Sequence, residues 1–213
     1  YISQNASRIC RALFELALKR GWPTLSELLL TLSKAVDLRM WPHQHALRQF
    51  QDSGVLNQDV LFKLEDKKAS VDRLWDMSPS EIGSLIRLNT DLGKRIKNCL
   101  QALPVLTLEA SVQPITRTVL RVSVTLTPEF VWVDKHHGQS QRWLLWVEDP
   151  VNEHVYHSEQ ITVTKKQYNE GAIRIVFTVP IFEPTPSQYF LRANSENWLG
   201  CETFHELSFD NLT

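Results

Sequence analysis

The hydrophobic pattern of this chain changes period once, at Pro104, and that change restricts the fold more than any other feature. Before Pro104, apolar residues recur at steps of three and four, as they do on one face of a helix. In the opening segment Ile9, Ala12, Leu13, Leu16 and Ala17 keep that spacing, which predicts a helix over residues 3–20 with those residues as its buried face. Gly21-Trp22-Pro23 stops it. Thr24 lies three residues before Glu27, the spacing of a capping box, and starts a second helix that runs to about Met40. Trp41-Pro42 breaks that helix, and HALRQF reads as a short third one. Gly54 marks a joint, and NQDVLFKLEDKK is a further amphipathic helix. In DMSPSEIGSLI, Ser78 takes the N-cap, Pro79 opens the helix and Glu81 completes a capping box. LNTD then turns the chain into a last helix, LGKRIKNCLQAL.

After Pro104 the apolar residues alternate. Leu120, Val122, Val124 and Leu126 do so, and so do Ile173, Ile175, Phe177 and Val179. WLLWVED, HVYHSEQITV and SQYFLRA add strand-like runs, separated by turn signals such as EDPVNE, YNEGA and FEPTPS. About seven strands in about 105 residues, with no helix between them, fit a sandwich of immunoglobulin or fibronectin type III kind. The chain is therefore expected to be α+β. An all-α helical bundle spans 1–54, a helix-loop-helix unit 55–104 and an all-β sandwich 105–213.

Composition excludes several classes. Hydrophobic content of 43% and charged content of 22% describe a globular chain rather than a disordered one. No apolar run reaches the roughly 20 residues of a membrane span, so no membrane partner is expected. No basic stretch precedes an apolar one, so no signal peptide is expected; the chain begins with Tyr1 and is read as an excised fragment. Cys10, Cys99 and Cys201 lie far apart without CxxC spacing, which suits a reduced, intracellular protein. The formal net charge of −1 conceals an asymmetry: residues 1–104 carry 15 Lys and Arg against 11 Asp and Glu, and residues 105–213 carry 8 against 13. A basic half joined to an acidic half suggests different partners for each.

Motifs for catalysis are missing. The Gly93-Lys94 pair lacks the earlier glycine and the hydroxyl residue of a phosphate-binding loop, and it lies between helices. His43 and His45, His136 and His137, and His154 and His157 have no cysteine nearby to complete a zinc site; His136-His137 precedes Gly138 and reads as a loop tip. Glu148-Asp149 leads into Pro150 and reads as a turn. No GxSxG, HExxH or GxGxxG is present. No catalytic residue, metal site or cofactor is expected.

Two elements suit nucleic acid. Gln4, Arg8, Arg11, Glu15 and Lys19 fall at steps of four and three, on one stripe of the opening helix. A solvated face with Arg11 paired to Glu15 is the plain alternative. Gly93, Lys94, Arg95 and Lys97 open a helix whose free amides could meet phosphate, as in a degraded helix-hairpin-helix; simple packing is the alternative there.

SQNASRICRALFELALKRGW, LSKAVDLRMW with LRQF, EIGSLI, ASVQPITRTVLRV, WVEDP with HVYHSE, and IFEPTPSQYFLRANSENWLG occur in that order. Together they resemble the Sec-sixty-three homology unit of the large tandem-cassette superfamily 2 DExH-box RNA/DNA helicases, nearer the cointegrator branch than the spliceosomal one. The resemblance runs from residue 1 to about residue 212. It implies a unit that follows two RecA-like motor domains and a winged helix. The opening helix would then be the ratchet helix, with Arg8, Arg11, Glu15 and Lys19 facing a translocating single strand of RNA or DNA. Glu15 stands where some archaeal relatives place an aromatic residue for base stacking, and Phe14 is one residue off that register. The implied partners are the strand, the motor and winged-helix domains of the same chain, and protein subunits of a helicase complex. The implied location is nuclear, with the cytoplasm as a second site. Two functions stay open: guiding nucleic acid while bracing a motor, or serving as a protein-interaction scaffold with little nucleic-acid contact.

Overall fold

The computed structural model describes residues 2–51 and 54–209. Helices α1 (Ile2–Lys19) and α2 (Pro23–Leu38) form a hairpin. Gly21 reverses the chain between them at φ +74°, a left-handed conformation that suits glycine. Its carbonyl accepts the Val155 amide at 2.9 Å, so the turn is fixed to the β half. The two helices meet through small residues: Ser7 Oγ donates to the Ser33 carbonyl at 3.3 Å, and Ser33 Oγ to the Ser7 carbonyl at 3.4 Å. This close approach lets Phe14 and Leu30, each 1% exposed, press onto Leu144, Trp146 and Val155.

The expected faces of α1 are corrected by this packing. Of the predicted buried row, only Ala17 is buried; Ile9, Leu13 and Leu16 are 60%, 46% and 60% exposed. The core face is Ser7, Phe14 and Ala17, because the serine contact turns the helix so that Phe14 meets the sheet. Thr24 does not cap α2 either. Pro23 takes the first helical position, which its fixed φ suits, and Trp22 occupies the N-cap without a side-chain hydrogen bond.

A 3-10 turn (Ala46–Phe50) leads to α3 (Gln58–Asp66), α4 (Val71–Asp76), α5 (Pro79–Leu85) and α6 (Thr90–Gln101). His45 caps the turn, accepting the Leu47 amide at Nδ1 (3.2 Å), and its Nε2 lies 2.7 Å from the Ala69 carbonyl. Arg48 forks onto Glu65 of α3 at 2.6 and 2.7 Å. The Ser78–Glu81 capping box at the start of α5 is complete in both directions. Gly93 lets α6 lie against α5, since a Cβ there would overlap the Pro79 carbonyl oxygen.

The second half holds β1 (Leu106–Thr116), β2 (Val119–Pro128), β3 (Ser140–Asp149), β4 (His154–Thr164), β5 (Ile173–Pro180), β6 (Gln188–Ser195) and β7 (Glu202–Ser208). They form two antiparallel sheets, in the orders β1-β2-β5 and β4-β3-β6-β7. Short helices α7 (Asp134–His137) and α8 (Lys165–Glu170) interrupt them, contrary to the expected helix-free run. The signal for α8 is local: Thr164 and Gln167 form a capping box. The His136-His137 tip is also corrected. His137 is buried, with Nε2 2.8 Å from the Ala102 carbonyl at the end of α6.

Strand β2 buries Leu120, Val122, Val124 and Leu126 in alternation, as its period requires. Strand β3 is buried almost throughout, for a different reason on each side. Trp143, Leu145 and Val147 enter the main core, while Leu144 and Trp146 lie under the α1–α2 hairpin. That main core is continuous. It runs from Leu47 and Phe50 through Leu61, Ile82 and Leu100 to Leu106, Val122 and Leu191.

Candidate nucleic-acid interface

The outer row of β3 is Arg142, Leu144, Trp146 and Glu148, the alternate residues of one sheet face. The hairpin covers its apolar middle and leaves a charged cluster at each end. At one end Glu148 accepts from Trp146 Nε1 and from Arg192 Nε, each at 2.8 Å. Arg192 also lies 3.9 Å from Glu27 of α2. Asp149, by contrast, builds the turn, accepting the Val151 and Asn152 amides at 2.8 and 3.1 Å. Only the second member of the Glu148-Asp149 pair is therefore a turn residue.

At the other end Arg142 emerges beside Arg11 of α1. Between them stands Glu196, just past the end of β6, with its side chain 2% exposed. Its carboxylate forms an ion pair with Arg11 Nη2 at 3.0 Å and accepts from Gln160 Nε2 at 2.6 Å, with Arg142 Nε at 3.6 Å. A buried carboxylate must be satisfied in this way, because its desolvation is otherwise uncompensated. The loop that carries it is held from two sides. Lys34 of α2 donates to the carbonyls of Ser195 and Trp198, both at 3.1 Å. Ser195 Oγ accepts the Trp198 amide at 3.2 Å. Burial pushes Lys34 below the ordinary lysine value, with Glu202 opposing.

Above this cluster lies an open cleft of about 550 Å³, lined by Arg8, Arg11, Glu15, Arg142, Gln160 and Asn197 among others. Arg8, Glu15 and Lys19 are exposed. Arg11 leans inward, 3.6 Å from Glu15 as well as ion-paired with Glu196. Among the described residues no ion pair holds Arg8 or Lys19. Lys19 continues the row one turn beyond Glu15, and the side chain of Gln4 lies outside the described residues. Phe14, one position from Glu15, is in the core and has no face to offer a base.

Lys94 and Arg95 are not part of this cleft. They are exposed on α6, whose other side belongs to the main core. Asn89 caps α6 by accepting the Leu92 amide at 3.0 Å, and Asp91 in the first turn lies 3.4 Å from Lys94. Lys97 closes α4, donating to the carbonyls of Leu74 and Met77 at 3.2 and 3.0 Å and to that of Trp75. Sequence reasoning missed Arg142, Gln160, Glu196 and Asn197. None belongs to a motif, and only the folding of the β half under α1 brings them near Arg11.

Fold and cleft together define an α+β domain whose distinctive surface is a polar groove along its first helix. The chain belongs to the Sec63 Brl domain family, which matches residues 1–208. It is 49% identical over 214 residues to "Activating signal cointegrator 1 complex subunit 3" of Rattus norvegicus and 47% identical over 214 residues to the protein of that name in Homo sapiens. It is 46% identical over 212 residues to "DExH-box ATP-dependent RNA helicase DExH14" of Arabidopsis thaliana. The whole chain aligns in each case, but it spans 10% of the length of these relatives.

Proposed function

We propose that this chain is a non-catalytic accessory module of an ATP-dependent nucleic-acid helicase, in which α1 guides a single strand of RNA or DNA. The observation that carries the reading is the cleft along α1, where Arg8, Arg11 and Glu15 share one open groove. Cations on one stripe of a rigid helix can follow a strand's phosphates while the motor domains move it. Arg8 and Lys19, about three turns apart on that stripe, have no ion-pair partner among the described residues, whereas Arg11 is engaged by Glu196. Lys94 and Arg95, exposed on α6 outside this cleft, would make a separate phosphate contact. The sheet orders β1-β2-β5 and β4-β3-β6-β7 suit a fibronectin type III-like sandwich over 105–213, beside a bundle over 1–54 and a helix-loop-helix over 55–104. The same reading places the parent helicase in the nucleus, with the cytoplasm as a second site.

The test is fluorescence anisotropy of the chain with a labelled single-stranded oligonucleotide across a salt series. The log of the affinity should fall against log salt with a slope of about −0.7 for each phosphate contact. Arg8→Glu with Lys19→Glu should weaken binding while leaving the fold intact. Arg11 is unsuitable for this purpose, because Arg11→Glu would set a second carboxylate against buried Glu196. Absence of salt-dependent binding, or indifference to the double change, refutes strand guiding.

A second reading, protein docking, has its own observation. Ile9, Leu13 and Leu16 on α1 and Leu25, Leu28 and Leu32 on α2 are exposed apolar rows at helical spacing. Such rows mark surfaces that a partner covers. RecA-like and winged-helix domains of the same chain, or subunits of a splicing or cointegrator-type complex, are the proposed partners. Leu28→Glu should then abolish assembly with the motor domains and leave strand binding unchanged.

A further inference from the structure

We propose that the β half supplies the opposite wall of the strand groove, with Arg142 of β3 as a phosphate-contacting residue and Glu196 as the residue that positions it. The inference rests on the reading that α1 faces a single strand, and it adds residues from outside the helical half to that site. Three observations carry it. First, Arg142 lines the same cleft as Arg8 and Arg11, although it lies on a different element. Second, its side chain is 55% exposed even though its Nε is 3.6 Å from Glu196, so it remains open to solvent. Third, Glu196 is held without freedom. Its carboxylate is ion-paired with Arg11 and accepts from Gln160, its amide donates to the Arg142 carbonyl at 3.0 Å, and Lys34 holds the carbonyls of Ser195 and Trp198 in the same loop.

The arrangement has a chemical consequence. Glu196 neutralises Arg11, which is the inward cation, and orients Arg142 from below. That leaves Arg8 on α1 and Arg142 on β3 as the two available guanidiniums, one on each wall. A guanidinium presents several donors in a fixed fork that matches phosphate oxygens. Asn197, exposed at the rim, and the Gln160 carbonyl oxygen, left over after its amide bonds Glu196, are polar groups of the kind that meet sugar or base edges. A strand in this cleft would be gripped from both sides, so that a shift between α1 and the sheet would alter the grip.

The experiment is the same anisotropy salt series on the 213-residue chain, run with Arg142→Gln, Arg142→Lys and Arg8→Gln beside the parent. Thermal melting confirms that each variant folds. Arg142→Gln should weaken binding about tenfold at low salt, the size of one charge-assisted contact, and flatten the salt slope by about 0.7. Arg142→Lys should retain the slope, because the positive charge is kept. Loss with Arg8→Gln but not with Arg142→Gln would overturn this inference while leaving the α1 reading in place. Indifference to both, or no binding by the parent chain, would overturn the two together. An equal flattening of the salt slope with Arg142→Lys and Arg142→Gln would mean that the charge at Arg142 makes no phosphate contact, and would also overturn it.

Discussion

Replacing Phe14 and Leu13 by alanine, one at a time, separates the helix face that the structure buries from the face that periodicity alone would bury. Phe14 is 1% exposed and packs with Leu30 on Leu144, Trp146 and Val155, whereas Leu13 is 46% exposed. Phe14→Ala removes a full aromatic ring from a packed site and leaves a cavity, a change that costs about 3–5 kcal/mol. Leu13→Ala removes a side chain that is half in water already, and solvent fills the space, so its cost should be about 1 kcal/mol or less. For a chain of this size each kcal/mol moves the melting temperature by roughly 2–4 °C. Phe14→Ala should therefore lower it by about 6–20 °C, and Leu13→Ala by no more than about 4 °C. Urea denaturation with hydrogen exchange on α1 and α2 would add location, since the hairpin core is separate from the main one. Faster exchange in the hairpin is expected for Phe14→Ala alone. Equal losses from both changes, or a larger loss from Leu13→Ala, would refute the assignment of faces.

Ser78→Ala should lower stability by about 1 kcal/mol, because the Ser78 hydroxyl accepts the Glu81 amide that opens α5; an unchanged urea midpoint would contradict this. Acid should destabilise the chain before carboxylates titrate. Burial holds His45 and His137 below the ordinary histidine value of 6.5, so the unfolded chain takes up protons first. Stability that is complete above about pH 6.5 should then be lost as pH falls from there toward the folded-state values. A second loss should follow below about pH 4.5, as Glu65, held low mainly by its hydrogen bond from Arg48, becomes protonated. Urea midpoints measured from pH 8 to pH 3 would check both steps, and a midpoint that stays flat between pH 7 and pH 5 would count against the buried histidines.

Much of the chain was legible before folding. The change of period at Pro104 separated the longer helices from the strands, though not the short α7 and α8, and Ser78-Pro79-Ser80-Glu81 located a helix start to the residue. The alternation of Leu120 through Leu126 identified the inward face of β2. These features depend on neighbours a few residues apart, so sequence order carries them. The stripe of Arg8, Glu15 and Lys19 was legible for the same reason, as helix geometry alone sets residues three and four apart on one side.

What lay beyond the sequence was which side of each amphipathic element would find a partner. Helix α1 has two faces with apolar residues, one with Ile9, Leu13 and Leu16 and one with Phe14 and Ala17. Nothing within eighteen residues ranks them. The choice was made by Ser7 meeting Ser33 and by Trp146 rising from a strand far along the chain. The same docking made β3 buried on both sides and turned Arg11 from a free cation into the partner of Glu196. Periodicity tells a residue's neighbours along one element. The desolvation of Glu196 and the cleft beside it arise only when separate elements close on one another, because both are properties of the space between them.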